Sequence, residues 1–129
     1  MIEPELLEHL RVARRFVARA FYQAQGGIAA RILSRRQEPI ALEFFQAALH
    51  TAQALRSSIF PAATAYRWVF GESDGLPGLV IDRYGAVAVA QTQCAFYARH
   101  AELLAEAGEL SAPCEVTTVE DARSASREP

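Results

Sequence analysis

The segment Glu72-Ser73-Asp74-Gly75-Leu76-Pro77-Gly78 is dense in turn formers and sits between runs of strand-forming residues. Glycine and proline at this density interrupt any helix, so the chain must reverse here. Ala65–Gly71 before it is rich in aromatic and β-branched residues, a composition that fits a pleated surface. Leu79–Asp82 after it reads as a short apolar strand, Arg83-Tyr84-Gly85 as a tight turn and Ala86–Thr92 as another strand. The spacing predicts a three-stranded antiparallel meander. Within the connection, Gly75 and Gly78 flank Leu76-Pro77, which predicts a rigid loop with positive φ at its ends. Glu72 and Asp74 are placed to accept backbone N–H bonds in that loop. Asp82 and Arg83 are expected to pair across the hairpin turn.

Pro39 suits the first turn of a helix, and Ile40, Phe44, Ala47 or Ala48, Ala52, Leu55 and Ile59 recur at helical spacing, predicting a helix over 39–58. Cys94–Ala107 is helical by composition, with Gly108 as its C-cap. Ser111-Ala112-Pro113 is a link, Cys114–Val119 a last strand, and 120–129 a disordered tail. At the front, 1–15 reads as a helix opened by Glu3-Pro4-Glu5. Arg15–Tyr22 and Ile28–Ser34 form a β-hairpin around Gln23-Ala24-Gln25-Gly26-Gly27. In its second strand Ile28, Ala30 and Ile32 share one face and Arg31 lies on the other. The expected fold is α+β.

Net charge is -2, so overall charge predicts no polyanionic partner, but its distribution is uneven. Residues 1–70 carry nine Arg against five Glu, and residues 71–129 four Arg against ten acids. A basic front half can meet phosphate. Arg31, Arg35, Arg36 and Arg67 are the candidates for that contact, because the guanidinium fork donates two bonds at once. The competing reading is a solvated face with internal salt bridges. Tyr66, Trp68 and Phe70 alternate onto one face of a strand, where they either stack on bases or fill the core; core packing is the favoured reading. No apolar run approaches the ~20 residues of a membrane-spanning helix, and no secretion signal opens the chain. We therefore expect a cytoplasmic protein without a membrane partner. Cys94 and Cys114 show neither metal-ligand spacing nor a CxxC motif. His9, His50 and His100 stand singly, as surface or packing histidines, and no metal site is expected.

The stretch Tyr66–Gln91, with Gly-Glu-Ser-Asp-Gly-Leu-Pro-Gly-Leu followed by Asp-Arg-Tyr-Gly, resembles the signature of the bacterial 23S ribosomal RNA large-subunit cytosine-5 methyltransferases. The likeness runs outward over about residues 15–110. The family is organised as an RNA-binding PUA domain, a small central α/β domain and a Rossmann-like domain that binds S-adenosylmethionine. The resemblance implies that 1–34 is a partial PUA-like segment, a remnant β-hairpin, and that 35–119 is the central domain, two helices packed on an antiparallel sheet. Ribosomal RNA is the implied partner. Glu72, Asp74, Gly75, Pro77, Gly78, Asp82 and Arg83 are read as the structural loop, and a role in positioning RNA or in facing the catalytic domain is the alternative.

The family's chemistry needs a cysteine nucleophile, a donor site at the carboxyl ends of parallel strands and a base turned out of its stack. Neither Cys94 (Gln-Cys-Ala-Phe) nor Cys114 (Pro-Cys-Glu-Val) stands in a catalytic context of the family, and no strand leads into a glycine-rich turn. The chain is therefore expected to hold no catalytic residue and no cofactor, and to be inactive alone. It reads as the RNA-binding, substrate-positioning portion of the methyltransferase, truncated before the catalytic domain. The alternatives are a stand-alone RNA-binding or adaptor protein, a non-functional gene fragment, or a chain that docks a separately encoded catalytic domain.

Overall fold

The computed structural model describes residues 7–12, 15–22, 30–92, 94–112 and 114–120. The chain divides into two compact units, Met1–Pro39 and Ile40–Pro129. Both contain β-structure and the second adds helices, so the fold is α+β.

The first unit is a three-stranded antiparallel sheet in the order β1 (Leu7–Val12), β2 (Arg15–Tyr22), β3 (Ala30–Ser34). The predicted helix over 1–15 is thus corrected: residues 7–12 pair with β2 from Leu7 opposite Phe21 to Val12 opposite Arg15. Helical spacing of leucines is a weak local preference, and a strand edge that satisfies backbone groups overrides it. The predicted hairpin of β2 and β3 is present, but as two strands of a three-stranded sheet. Ala18 and Ala20 are buried on one face of β2, and Phe21 is buried too, beyond the register shift between Arg19 and Ala20. In β3 the face carrying Ala30 and Ile32 is the exposed one, while Leu33 is buried and Arg31 half-buried. The remainder of the expected helix at 1–6 and 13–14, the turn at 23–27 and the tail at 121–129 lie outside the described residues.

The second unit is built on a four-stranded sheet in the order β4 (Ala65–Phe70), β5 (Leu79–Tyr84), β6 (Val87–Thr92), β7 (Glu115–Glu120). The first three strands form the predicted meander. The sheet as a whole is mixed rather than antiparallel, because β7 runs parallel to β6. That pairing requires a crossover, supplied by helices α2 (Ala95–Arg99) and α3 (Ala101–Ser111). The single helix predicted over 94–107 is therefore broken at His100, whose ring lies over Phe96 at 4.4 Å between centroids. His50 is exposed, and the side chain of His9 is outside the described residues.

Helix α1 (Leu42–Ile59) begins three residues beyond Pro39, and it turns a different face inward from the predicted one. Phe45, Leu49 and Ala52 are buried, while Leu55 and Ile59 are 50% and 57% exposed. Apolar residues occupy more than one stripe of this helix, and packing on β4 and α3 selects between them. Trp68 of β4 is fully buried and donates its indole N–H to the Leu49 carbonyl at 3.0 Å. Tyr66, Trp68 and Phe70 do not share a face. A register shift between Arg67 and Val69 turns both Trp68 and Val69 inward and leaves Phe70 53% exposed.

Gly108 is not a C-cap but an interior residue of α3, at the point where the helix crosses β7. A Cβ there would lie 2.6 Å from Val116 Cγ2. Alanine would gain about 1 kcal/mol of helix propensity, but forcing a methyl against a stiff β-branched side chain costs about 1–3 kcal/mol. Gly108→Ala is expected to lower stability by about 1–2 kcal/mol, the clash outweighing the propensity. In urea denaturation, most of this loss should vanish in a Val116→Ala background.

Among the described residues, no helix is long and apolar enough to cross a membrane.

Candidate functional site

The signature loop is a nested set of turns. Gly71–Asp74 forms one turn of 3-10 helix, closed by Gly75 at φ 75°. Gly71 and Gly78 also have positive φ, 54° and 80°. The Leu79 N–H donates to the Leu76 carbonyl at 3.2 Å. With Pro77 second and a positive-φ Gly78 third, this is the arrangement of a type II turn. The turn buries Leu76 and Pro77 and ties its carbonyls inward. Tyr97 Oη donates to the Pro77 carbonyl at 2.8 Å, and Thr92 Oγ1 to that of Gly78 at 2.9 Å.

Asp74 accepts the Phe70 N–H at 2.7 Å, as expected of a loop carboxylate. Its main partner lies elsewhere in the chain. Arg56, in the last turn of α1, grips both carboxylate oxygens, the second at 2.9 Å, and donates from Nε to the Arg67 carbonyl at 3.1 Å. The side chains are only 15% and 6% exposed. Burial acts to raise the Asp74 pKa, but the Arg56 hydrogen bonds, the Phe70 N–H and the Arg56 charge together hold it below the ordinary carboxylate value. Sequence reasoning missed Arg56. Its only signal was a cation in the last turn of a helix, which the helix dipole alone would explain.

Asp82 pairs not with its neighbour Arg83 but with Arg67, directly opposite on β4, through bonds of 2.8 and 3.2 Å. Successive strand residues point to opposite faces, so a cross-strand partner is closer than a sequence neighbour. That hydrogen bond is the main cause holding the Arg67 pKa above its usual value. Arg83 instead donates from Nε to the Gly85 carbonyl and from Nη1 to the Tyr66 hydroxyl. Glu72 is exposed, and its backbone carbonyl accepts the Gly75 N–H at 3.1 Å.

The four arginines proposed for phosphate contact fall on two units. Arg35 and Arg36 are exposed beyond β3, and Arg36 Nε lies 3.4 Å from Glu38 in a pair that leaves its side chain 86% exposed. Arg31 is half-buried within β3. Arg67, on the second unit, is committed to Asp82, with its guanidinium 5.4 Å from the Phe70 ring centre.

Cys94 is buried, and Cys114 is half-buried, with no disulfide between them. Burial pushes the Cys114 thiol up, the Arg83 charge lowers it and Glu109 raises it further, for a net upward shift. A raised thiol is a weak nucleophile at neutral pH. A donor site of the Rossmann kind would lie at the carboxyl end of β6, in the parallel pair. Thr92 there is occupied between the Gly78 carbonyl and the Cys94 N–H, and no glycine-rich turn follows it. The described residues thus do not fit an S-adenosylmethionine site of the Rossmann kind.

This architecture recurs in solved methyltransferases. A Streptococcus mutans protein described as a SAM-dependent methyltransferase superposes with a TM-score of 0.74 at 20% identity, over 84% of this chain and 30% of its own. A further crystal structure, described as a methyltransferase complexed with SAH, gives 0.73 at 18% identity, over 83% of this chain and 29% of its own. These likenesses establish the fold.

The sequence relatives are more specific. Over 79 residues, 60% of this chain, it is 42% identical to ribosomal RNA large subunit methyltransferase I of Vibrio cholerae serotype O1. Over 95 residues, 71% of this chain, it is 40% identical to the Aliivibrio fischeri protein of the same name. No family model matches the chain. Over the matched part the chain is homologous to these ribosomal RNA methyltransferases, and it spans only 20% and 24% of their lengths.

Proposed function

We propose that this chain is the RNA-binding, substrate-positioning portion of an S-adenosylmethionine-dependent 23S ribosomal RNA (cytosine-5) methyltransferase. In this reading residues 1–34 are a partial PUA-type segment, residues 35–119 are the central domain, and the donor site and nucleophile are not among these residues. The observation that carries it is the 42% identity over 79 residues to a ribosomal RNA large subunit methyltransferase. The basic balance of residues 1–70 supports contact with phosphate. Exposed Arg35 and Arg36 are the leading contacts. Arg31 and Arg67 contribute less, since one is half-buried and the other already holds a carboxylate.

The test is binding of a 23S rRNA fragment as a function of salt. Affinity should fall steeply with salt, because phosphate contacts dominate. Replacing Arg35 and Arg36 with alanine should reduce the slope of log affinity on log salt by about 1.5. RNA binding that holds at high salt would contradict the proposal. So would one-to-one binding of S-adenosylmethionine to the isolated chain, measured by calorimetry.

A further inference from the structure

A cleft of about 340 Å³ lies in the second unit, between the C-terminal half of α1 and the turn joining β5 to β6. Its size falls in the range of small-ligand sites, ~300–1,000 Å³. None of its lining residues is acidic, although residues 71–129 carry ten acids against four Arg. Among these lining residues Arg83 is the charged one.

That guanidinium is held in place. Nε donates to the Gly85 carbonyl at 2.9 Å and Nη1 to Tyr66 Oη at 3.1 Å, and Tyr66 Oη in turn donates to Gln53 Oε1 at 2.7 Å. Among the described residues no carboxylate forms an ion pair with Arg83, whereas Arg36, Arg56 and Arg67 each have one. The network engages Nε and Nη1, and among the described residues Nη2 has no hydrogen-bond acceptor. Opposite polar character comes from Phe60, which lines the same cleft and is 53% exposed. Its backbone is pinned at the end of α1 by the Phe60 N–H to Arg56 carbonyl bond at 2.7 Å, and Pro61 follows. An exposed aromatic face stacks a base whatever its identity, and a planar cation takes a phosphate oxygen.

We propose that this cleft binds one unstacked nucleotide, its base on the Phe60 ring and its phosphate on Arg83. The identification with RNA rests on the function proposed above; the nucleotide chemistry does not. The experiment compares a fluorescent single-stranded RNA hexamer with free cytidine monophosphate, on the wild-type chain, Phe60→Leu and Arg83→Met. Circular dichroism confirms that each variant is folded, and NMR shift mapping locates the ligand.

Phe60→Leu should weaken hexamer binding ~5- to 100-fold, and Arg83→Met should lower the salt slope by about 0.7. Wild-type binding of the hexamer with both variants unchanged overturns the cleft and leaves the proposed function standing. Cytidine monophosphate shifts at Phe60 and Arg83 without hexamer binding support the cleft as a free-nucleotide site and count against RNA as its source. No binding of either probe at low salt overturns the proposal.

Discussion

Replacing Arg56 with alanine should destabilise the second unit by about 3 kcal/mol. Removing one partner of a buried pair typically costs about 3–5 kcal/mol, because an uncompensated charge is left behind. The lower end applies here, since Asp74 keeps the Phe70 N–H. Equilibrium urea unfolding measures it, and a loss under about 1 kcal/mol would show the pair to behave like an exposed one. Adding Asp74→Asn to the variant should recover much of the loss, as the amide oxygen can still accept the Phe70 N–H and no charge remains.

The pH dependence carries the same physics. The folded Asp74 pKa is depressed, so its stabilising contribution is present above the unfolded value, about 3.9, and is lost as pH falls through the lower folded value. In the Arg56→Ala variant, burial works without its main opponent, so protonating Asp74 relieves the folded state. The stability gap between wild type and variant should narrow below about pH 4.

Trp68→Ala should cost about 3–5 kcal/mol, the usual range for emptying a buried indole site. Trp68 has no exposed surface and joins α1 to β4 through the Leu49 carbonyl. The sheet and helices that surround it cannot close the space without moving paired strands. Trp68→Phe should cost less, about 1–2 kcal/mol, keeping most of the volume and losing the indole N–H bond. Far-UV circular dichroism must follow the variants, because Trp68 is the only tryptophan of the chain. Near-wild-type stability of Trp68→Ala would show that this contact does not organise the core. Set against a typical domain stability of about 5–15 kcal/mol, either the Arg56 or the Trp68 change consumes a large share.

Relation to function follows from these anchors. Arg56 and Tyr97 fasten the signature loop to α1 and α2, and Trp68 ties the strand before it, β4, to α1. This favours a structural role for the Glu72–Gly78 motif. The groups left outward, Arg35 and Arg36 on one unit and the Phe60–Arg83 cleft on the other, are those proposed to meet RNA.

Much of the local structure was readable in the residues alone. The turn at Asp74–Gly78, the strands on either side, the positive φ of Gly75 and Gly78 and the acceptor role of Asp74 each depend on a few neighbouring residues. Glycine and proline restrict the backbone wherever they stand. What only the tertiary structure decided involves partners distant in the chain. The strand at Leu7–Val12, the inward face of α1, the parallel placing of β7 and the interior role of Gly108 all depend on which surface arrives opposite. So do the pairs Arg56–Asp74 and Arg67–Asp82. Backbone preference is local and can be read along the chain, whereas packing and ion pairing are set by proximity in space, which spacing along the chain does not encode.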